Sequence, residues 1–253
     1  MDEDAVTGEP ARGRGRARRT ARRVGRPPRI DRAAIARAAG ELPLDEVTMR
    51  SVAERLDVSV AALYHHVGGR DELLRLAAEQ SALRMTLPRD EDQHWAAWCH
   101  QWADYIRRAF VADPELLKQY IDGAFGAEVM AGHIDAAMAL CVRQGFTERE
   151  AYALYGLVSE CALGAAISQI RAERDALAGE PFDLQVRGLM ARREPGALPR
   201  LRGLLDAGGP APPSFADRVT AVLAGVAALR GDDPAEVARQ ARSAVPAPPP
   251  ASG

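Results

Sequence analysis

Residues 58–74 read VSVAALYHHVGGRDELL, and they gather a phenol, two imidazoles and a glycine pair within six positions. Two groups of chemistry are open to Tyr64, His65 and His66. Adjacent imidazoles could bind a metal ion, but successive helical residues point ~100° apart, so His65 and His66 cannot close on one ion. An exposed short helix with small and hydrogen-bonding side chains could instead enter a DNA major groove ~12 Å wide. Nothing elsewhere has catalytic spacing. No glycine-rich phosphate loop follows a strand pattern, and HExxH and Gly-x-Ser-x-Gly are missing. Carboxylate pairs fall on what read as solvated helix faces. The sequence therefore predicts neither an enzyme nor a metal or cofactor site.

Charge distribution favours a polyanion partner for the front of the chain. The 253 residues carry a formal net charge of −2, but residues 10–70 hold fourteen Arg against six acids, a net +8. Residues 71–253 hold nineteen basic and twenty-five acidic side chains, a net −6. A basic front on an acidic body suggests a nucleic-acid-binding segment joined to a domain with a different task. Lys118 is the only lysine. Cys99, Cys141 and Cys161 are widely spaced without a CxxC pair, as expected of buried thiols in a reducing compartment. No apolar run approaches the ~20 residues of a membrane span. The basic N-terminus has no apolar signal stretch. A cytoplasmic, non-membrane protein is expected.

The elements that must position Tyr64 and its neighbours are all helical. Residues 1–29 are an Arg-rich arm too poor in apolar surface to order alone. Residues 30–76 read as a DNA-binding domain of three helices that runs into a fourth. Asp31, Thr48 and Ser59 are placed to cap the first three, Leu63 and Val67 face inward on the third, and Gly69 precedes the fourth. Residues 77–243 read as a helical regulatory and dimerisation domain, and 244–253 as a disordered tail. Within the body, Asp113–Pro114 should break one helix, Gly145 should end another, and Thr147-x-x-Glu150 is a capping box for a long one. Residues 175–213 suggest a partly helical loop before a last long helix from Ser214. No strand pattern or internal repeat is present, so the fold class is all-α.

The segment TMRSVAERLDVSVAALYHHV, residues 48–67, has the layout of a helix-turn-helix. With A-L-Y-H-H-V at 62–67 and G-R-D-E-L-L at 69–74, residues 31–76 resemble the DNA-binding domain of the tetracycline-repressor (TetR) family of bacterial regulators. That family usually has Gly where this chain has Asp57. The turn calls for positive φ, which Asp tolerates better than most residues. The resemblance implies that Ser59, Val60, Ala61 and His65 lie at or near base edges, with Val60 and Ala61 able to meet thymine methyls. It implies phosphate contacts for Thr48, Tyr64 and Arg70, and a base or phosphate contact for Arg50. His66 is expected to pack beneath the helix. In the arm, Arg22, Arg23 and Arg26 are the residues best placed to follow the DNA backbone or enter a minor groove.

The segment LCVRQGFTEREAYALYGLVSECALG, residues 140–164, resembles the regulatory domain of the tetracycline-repressor subgroup, which implies a ligand pocket in the body. The histidines with which drug-binding repressors hold a metal–drug complex fall on Thr86 and near Asp113, so another ligand is expected. Trp98, His100, Trp102, Tyr105, Phe125, Met130, His133 and Met138 could line a pocket for an apolar or amphipathic small molecule. The apolar stripes of 148–172 and 214–230 suggest a four-helix bundle with the same helices of a second copy. The expected function is a homodimeric, ligand-responsive transcriptional repressor on a palindromic double-stranded DNA operator. An architectural, largely non-specific DNA binder without a ligand is the alternative.

Overall fold

The structure is a computed structural model that describes residues 30–194, 196–208 and 213–244. Among them are twelve α-helices, one 3-10 turn and no strand. The reading head comprises α1 (Arg32–Gly40), the 3-10 turn (Leu44–Glu46), α2 (Met49–Leu56) and α3 (Val60–Tyr64), with α4 (Arg70–Leu83) leading out of it. Each of the first three helices starts where a short polar side chain can satisfy a free N–H. Asp31 accepts from Ala34 N at 2.7 Å, Thr48 from Ser51 N at 3.0 Å and Ser59 from Ala62 N at 3.2 Å. Ser51 returns the favour by accepting from Thr48 N at 3.0 Å.

Asp57 ends α2 at φ 54°, ψ 47°, the left-handed conformation the turn requires. Its own N–H reaches the carbonyls of Ala53 and Glu54. Ile35, Leu44, Val47, Val52, Leu63, Val67 and Leu73 are fully or almost fully buried beneath this turn. At about 1.5–3 kcal/mol for each such side chain, this cluster outweighs exposed ion pairs such as Arg55–Glu41, which contribute about 0–1 kcal/mol.

Helix α4 lies tightly against α1 because Gly40 has no side chain. A Cβ there would sit 2.5 Å from the Gln80 Cβ. Arg84, at the end of α4, donates to the Gly40 carbonyl and to the Ser81 hydroxyl, so the ends of the two helices are riveted together.

The body is built around α5 (Trp95–Ala112), followed by α6 (Pro114–Ile121), α7 (Ala127–Arg143) and α8 (Glu148–Leu177). Asp113 closes α5 and caps α6 by accepting from Leu116 N at 3.0 Å, with Pro114 at the first helical position. Gly145 follows α7 at φ 87°, and Thr147 and Glu150 form the expected capping box. Helix α8 packs on α5, α7 and α11 (Phe215–Arg230). Arg230, at the end of α11, stacks 3.5 Å above the Phe146 ring centroid and pairs with Glu150 at 3.2 Å. Those contacts fix α11 to the turn between α7 and α8.

Several expectations from the sequence change. Phe215–Arg230 is not the last helix: α12 (Pro234–Ser243) follows, capped by Asp233, and buries Val237 and Ala241 where it packs on α5 and α11. The segment expected to be a partly helical loop contains the end of α8, then α9 (Phe182–Ala191) and α10 (Pro199–Asp206), with a small core of Val186, Met190 and Leu205. The expected domain boundary at 76–77 falls inside α4. Helix α8 has the length and apolar content of a membrane span, which the sequence reading did not register, but its inner face of Leu154, Val158, Ala162 and Ala166 is buried in the helical core.

Two substitutions test this account. Gly40→Ala should lower the unfolding free energy of the chain by about 1–3 kcal/mol in urea titration, because α1 and α4 must separate to admit the methyl group. Asp57→Val should cost about 1–2 kcal/mol in the same measurement, because a β-branched residue resists positive φ, whereas Asp57→Gly should cost nothing.

Candidate nucleic-acid interface and ligand cavity

Helix α3 is five residues long, and burial of Leu63 and Val67 fixes which side it turns outward. Tyr64 is 58% exposed and Val60 37% exposed, while Ala61 and His65 also face solvent. Two alanines at 61 and 62 keep the helix narrow. Ser59 and Thr48 are committed to their helix caps, each through its hydroxyl. Arg50 stands in the first turn of α2, fully in solvent, with its Nε donating to Glu54 Oε1 at 2.8 Å. The structure thus places Thr48, Arg50, Ser59, Val60, Ala61, Tyr64 and His65 on the exposed side of the helix-turn-helix.

His66 is corrected. It is exposed rather than packed beneath the helix, since α3 ends at Tyr64 and the inward positions belong to Leu63 and Val67. Arg22, Arg23 and Arg26 lie outside the described residues.

Arg70 is exposed at the start of α4, after Gly69 at φ 144°. The carboxylate of Glu72 folds back to accept from Gly68 N at 2.5 Å and pairs with Arg32 of α1. It therefore already occupies part of the N–H-rich end of α4. The Gly68 N–H, and then the Arg32 guanidinium, hold Glu72 below its ordinary value of 4.5.

The body encloses an apolar cavity. Its walls are Ala82 and Met85 at the end of α4, Trp102, Ile106 and Phe110 of α5, Tyr120 of α6, Phe125, Met130 and His133 around α7, and Tyr155, Ser159 and Leu163 of α8. The alpha-helical period explains the two long walls, since 102, 106 and 110 recur every four residues, as do 155, 159 and 163. The cavity volume is about 60 Å³. Trp102 stacks with Tyr155, ring centroids 6.2 Å apart.

Five of the lining residues carry a polar group: Trp102, Tyr120, His133, Tyr155 and Ser159. Trp102 Nε1 and the Ser159 hydroxyl are shut off from solvent and make no hydrogen bond among the described residues. Ser159 lies near the Tyr155 phenol without a well-formed bond, and burial pushes that phenol up. His133 Nε2 lies 2.8 Å from the Met85 carbonyl. A ligand with oxygen acceptors would satisfy donors that are otherwise costly to bury.

Four of the eight pocket residues expected from sequence line this cavity: Trp102, Phe125, Met130 and His133. The other four do not. Trp98 is buried with its Nε1 donating to the Pro88 carbonyl at 3.0 Å. The Tyr105 hydroxyl accepts from Thr86 N at 3.3 Å. Met138 packs against the main core. His100 is buried beside Phe215, where burial holds its imidazole below the ordinary value against the pull of Asp104. Sequence reasoning missed Ile106, Phe110, Tyr155, Ser159 and Leu163, although their four-residue spacing on two helices was visible. Among the described residues, no three His, Cys, Asp or Glu side chains converge to hold a metal ion.

Residues 32–77 match the family described as bacterial regulatory proteins, tetR family. No curated protein matches the chain. The solved structure of the Streptomyces coelicolor TetR family protein ActR in complex with actinorhodin is similar at 26% identity and a TM-score of 0.58, over 81% of this chain and 97% of that one. ActR in complex with (S)-DNPA matches at 25% identity and a TM-score of 0.58, over 79% and 98%. Apo ActR shares the fold at 24% identity and a TM-score of 0.55, over 85% and 98%. The helix-turn-helix head is joined to a helical C-terminal body, the arrangement of the ActR structures. Residues 32–77 thus match the DNA-binding segment of the tetR family, and the chain as a whole shares the fold of ActR.

The Glu72 contacts give the head an acid limit. A carboxylate depressed on folding contributes stability above its unfolded value and loses it as pH falls through the folded value. Head stability in wild type should therefore fall on acidification below about 4.5. Glu72→Gln should be less stable at pH 7 and show a flatter pH profile, read by circular-dichroism melts from pH 3 to 7.

Proposed function

We propose that this protein is a homodimeric repressor that binds a palindromic operator and releases it when a small molecule fills the cavity. The observation that carries this reading is the reach of α4. Its first turn follows the reading helix, its last turn supplies Ala82 to the cavity wall, and Met85 follows just beyond it. One rigid element therefore spans head and cavity, and a ligand that prefers one setting of α4 shifts DNA affinity by that preference, typically ~1–3 kcal/mol.

On DNA, α3 enters the major groove with Val60, Ala61 and His65 toward the base edges, Ser59 at its mouth, and Thr48, Tyr64 and Arg70 on phosphates. Arg50 exchanges Glu54 for a phosphate or a guanine edge. The Arg-rich arm adds salt-sensitive backbone contacts. The head is residues 30–76 and the regulatory body 77–243. The protein works in the cytoplasm, where the DNA is.

The dimer is supported by apolar side chains left outside the core: Tyr152, Leu157 and Ile167 on α8 and Leu229 on α11 are each 43% exposed or more. Covering them with the same helices of a second copy makes a four-helix bundle and sets two reading heads about one DNA turn apart, ~34 Å. The effector is a flat, largely apolar molecule with oxygen acceptors, matched to the aromatic walls and to the Trp102 and Ser159 donors. The ActR structures that hold actinorhodin and (S)-DNPA support a small-molecule effector.

Selection of bound sequences from a random DNA pool tests the reading. A palindromic consensus is expected. The double variant Arg50→Ala, Tyr64→Ala should bind that consensus at least about tenfold more weakly at 150 mM salt, consistent with ~1–3 kcal/mol per good contact. A pool that yields no preferred sequence and only a steep salt dependence would instead identify an architectural binder.

A further inference from the structure

We infer that His133 is the positioning residue that ties the cavity to the reading head, by donating a hydrogen bond to the Met85 carbonyl just beyond α4. The inference deepens the reading above and rests on it. A carbonyl can only accept, so at 2.8 Å the proton of this contact sits on His133 Nε2. The imidazole also forms part of the cavity wall, 6.3 Å from the Trp102 ring centroid.

Three side chains of the body bond to the backbone of residues 85–88, just after α4. His133 takes the Met85 carbonyl, Tyr105 takes the Thr86 N–H at 3.3 Å, and Trp98 donates to the Pro88 carbonyl at 3.0 Å. Only His133 of the three lines the cavity. Its hydrogen bond is therefore the one tether that a cavity occupant can compete for. An occupant oxygen that takes the Nε2 proton leaves the Met85 carbonyl without its partner. A half-buried carbonyl left unpaired is costly, so the end of α4 moves until the group is satisfied again.

That movement has a path to the DNA surface. Arg84 precedes Met85 and donates to the Gly40 carbonyl, so the end of α4 is fixed to the end of α1. The other end of α4 is fixed to α1 through Arg32–Glu72, and Glu72 also holds Gly68, four residues after Tyr64. With the His133 bond made, the head is held in one orientation on the body. Both heads of a dimer are then pre-set for one spacing, which spares the ordering cost at binding.

The test uses the full-length protein and the DNA sequence recovered by selection. His133→Phe keeps an aromatic ring and removes the donor, while His133→Gln keeps an N–H. Removing the donor should weaken operator binding about 3- to 10-fold, the range that one hydrogen bond supplies. His133→Gln should return it to within about twofold of wild type. Amide hydrogen exchange of residues 81–87 should speed up in His133→Phe and recover in His133→Gln. Coupling is reciprocal, so operator DNA should slow exchange across residues 128–138 in wild type and do so less in His133→Phe.

Tyr105→Phe, which cuts a tether outside the cavity, should leave that long-range protection intact. Unchanged or tighter operator binding by His133→Phe would overturn the proposal. So would unchanged exchange at 81–87, or a folded His133→Gln that binds no better than His133→Phe. If His133→Phe melts at room temperature, His133→Leu against His133→Gln carries the same comparison. A wild-type protein that selects no sequence sinks the regulator reading, while the 81–87 exchange still reports separately on the tether.

Discussion

Helix α4 packs on α1 and the 3-10 turn within the head, and on α6 and α7 within the body. Leu73, Leu74, Leu76, Ala77, Ala78 and Ala82 are buried along it, so it is apolar on more than one face. A helix buried on two sides cannot follow one neighbour without pushing on the other, since packed interiors have few voids to absorb the shift. The close approach at Gly40 makes that contact stiff. The head is consequently not a module hung on a linker, and the helix-turn-helix and the body cavity share one structural member.

Electrostatics has a smaller part in holding the fold and a larger part in tuning it. The ion pairs on the head are exposed, and each contributes little against the buried cluster of Ile35, Leu44, Leu63 and Leu73. What charge does is local. Glu72 fills the N-terminal end of α4 with a carboxylate from the same chain, which leaves Arg70 as the outward positive group. Arg50 is held by Glu54.

The cavity is aromatic because α5 and α8 both point large rings at one another, and polar at only a few atoms. An apolar chamber with a few fixed donors discriminates by hydrogen bonding more than by size, since leaving a built donor unpaired costs more than losing one methylene.

Much of this was legible in the chain itself wherever the determining contact is local. Thr48, Ser59 and Thr147 cap helices a few residues away, Gly145 ends one, and Asp57 stands where a left-handed residue is required, so type and spacing suffice. Helix α12 carried a readable signal in Asp233–Pro234, yet its stripe is short and was passed over. Eight of the twelve cavity residues were not read from the sequence. Trp98, Tyr105 and Trp102 sit on the same helix with similar side chains, but only the packing of α7 and α8 decides that Trp102 faces the chamber while the other two hold the segment after α4. His66 shows the same limit, because where α3 stops depends on Leu63 and Val67 finding the head core. The sequence by itself determined the all-α fold, the helix-turn-helix and its outward residues, through periods and caps that act over three or four positions. Only the tertiary structure decided which aromatic rings share a cavity and which histidine touches the end of α4, because those contacts join positions dozens of residues apart.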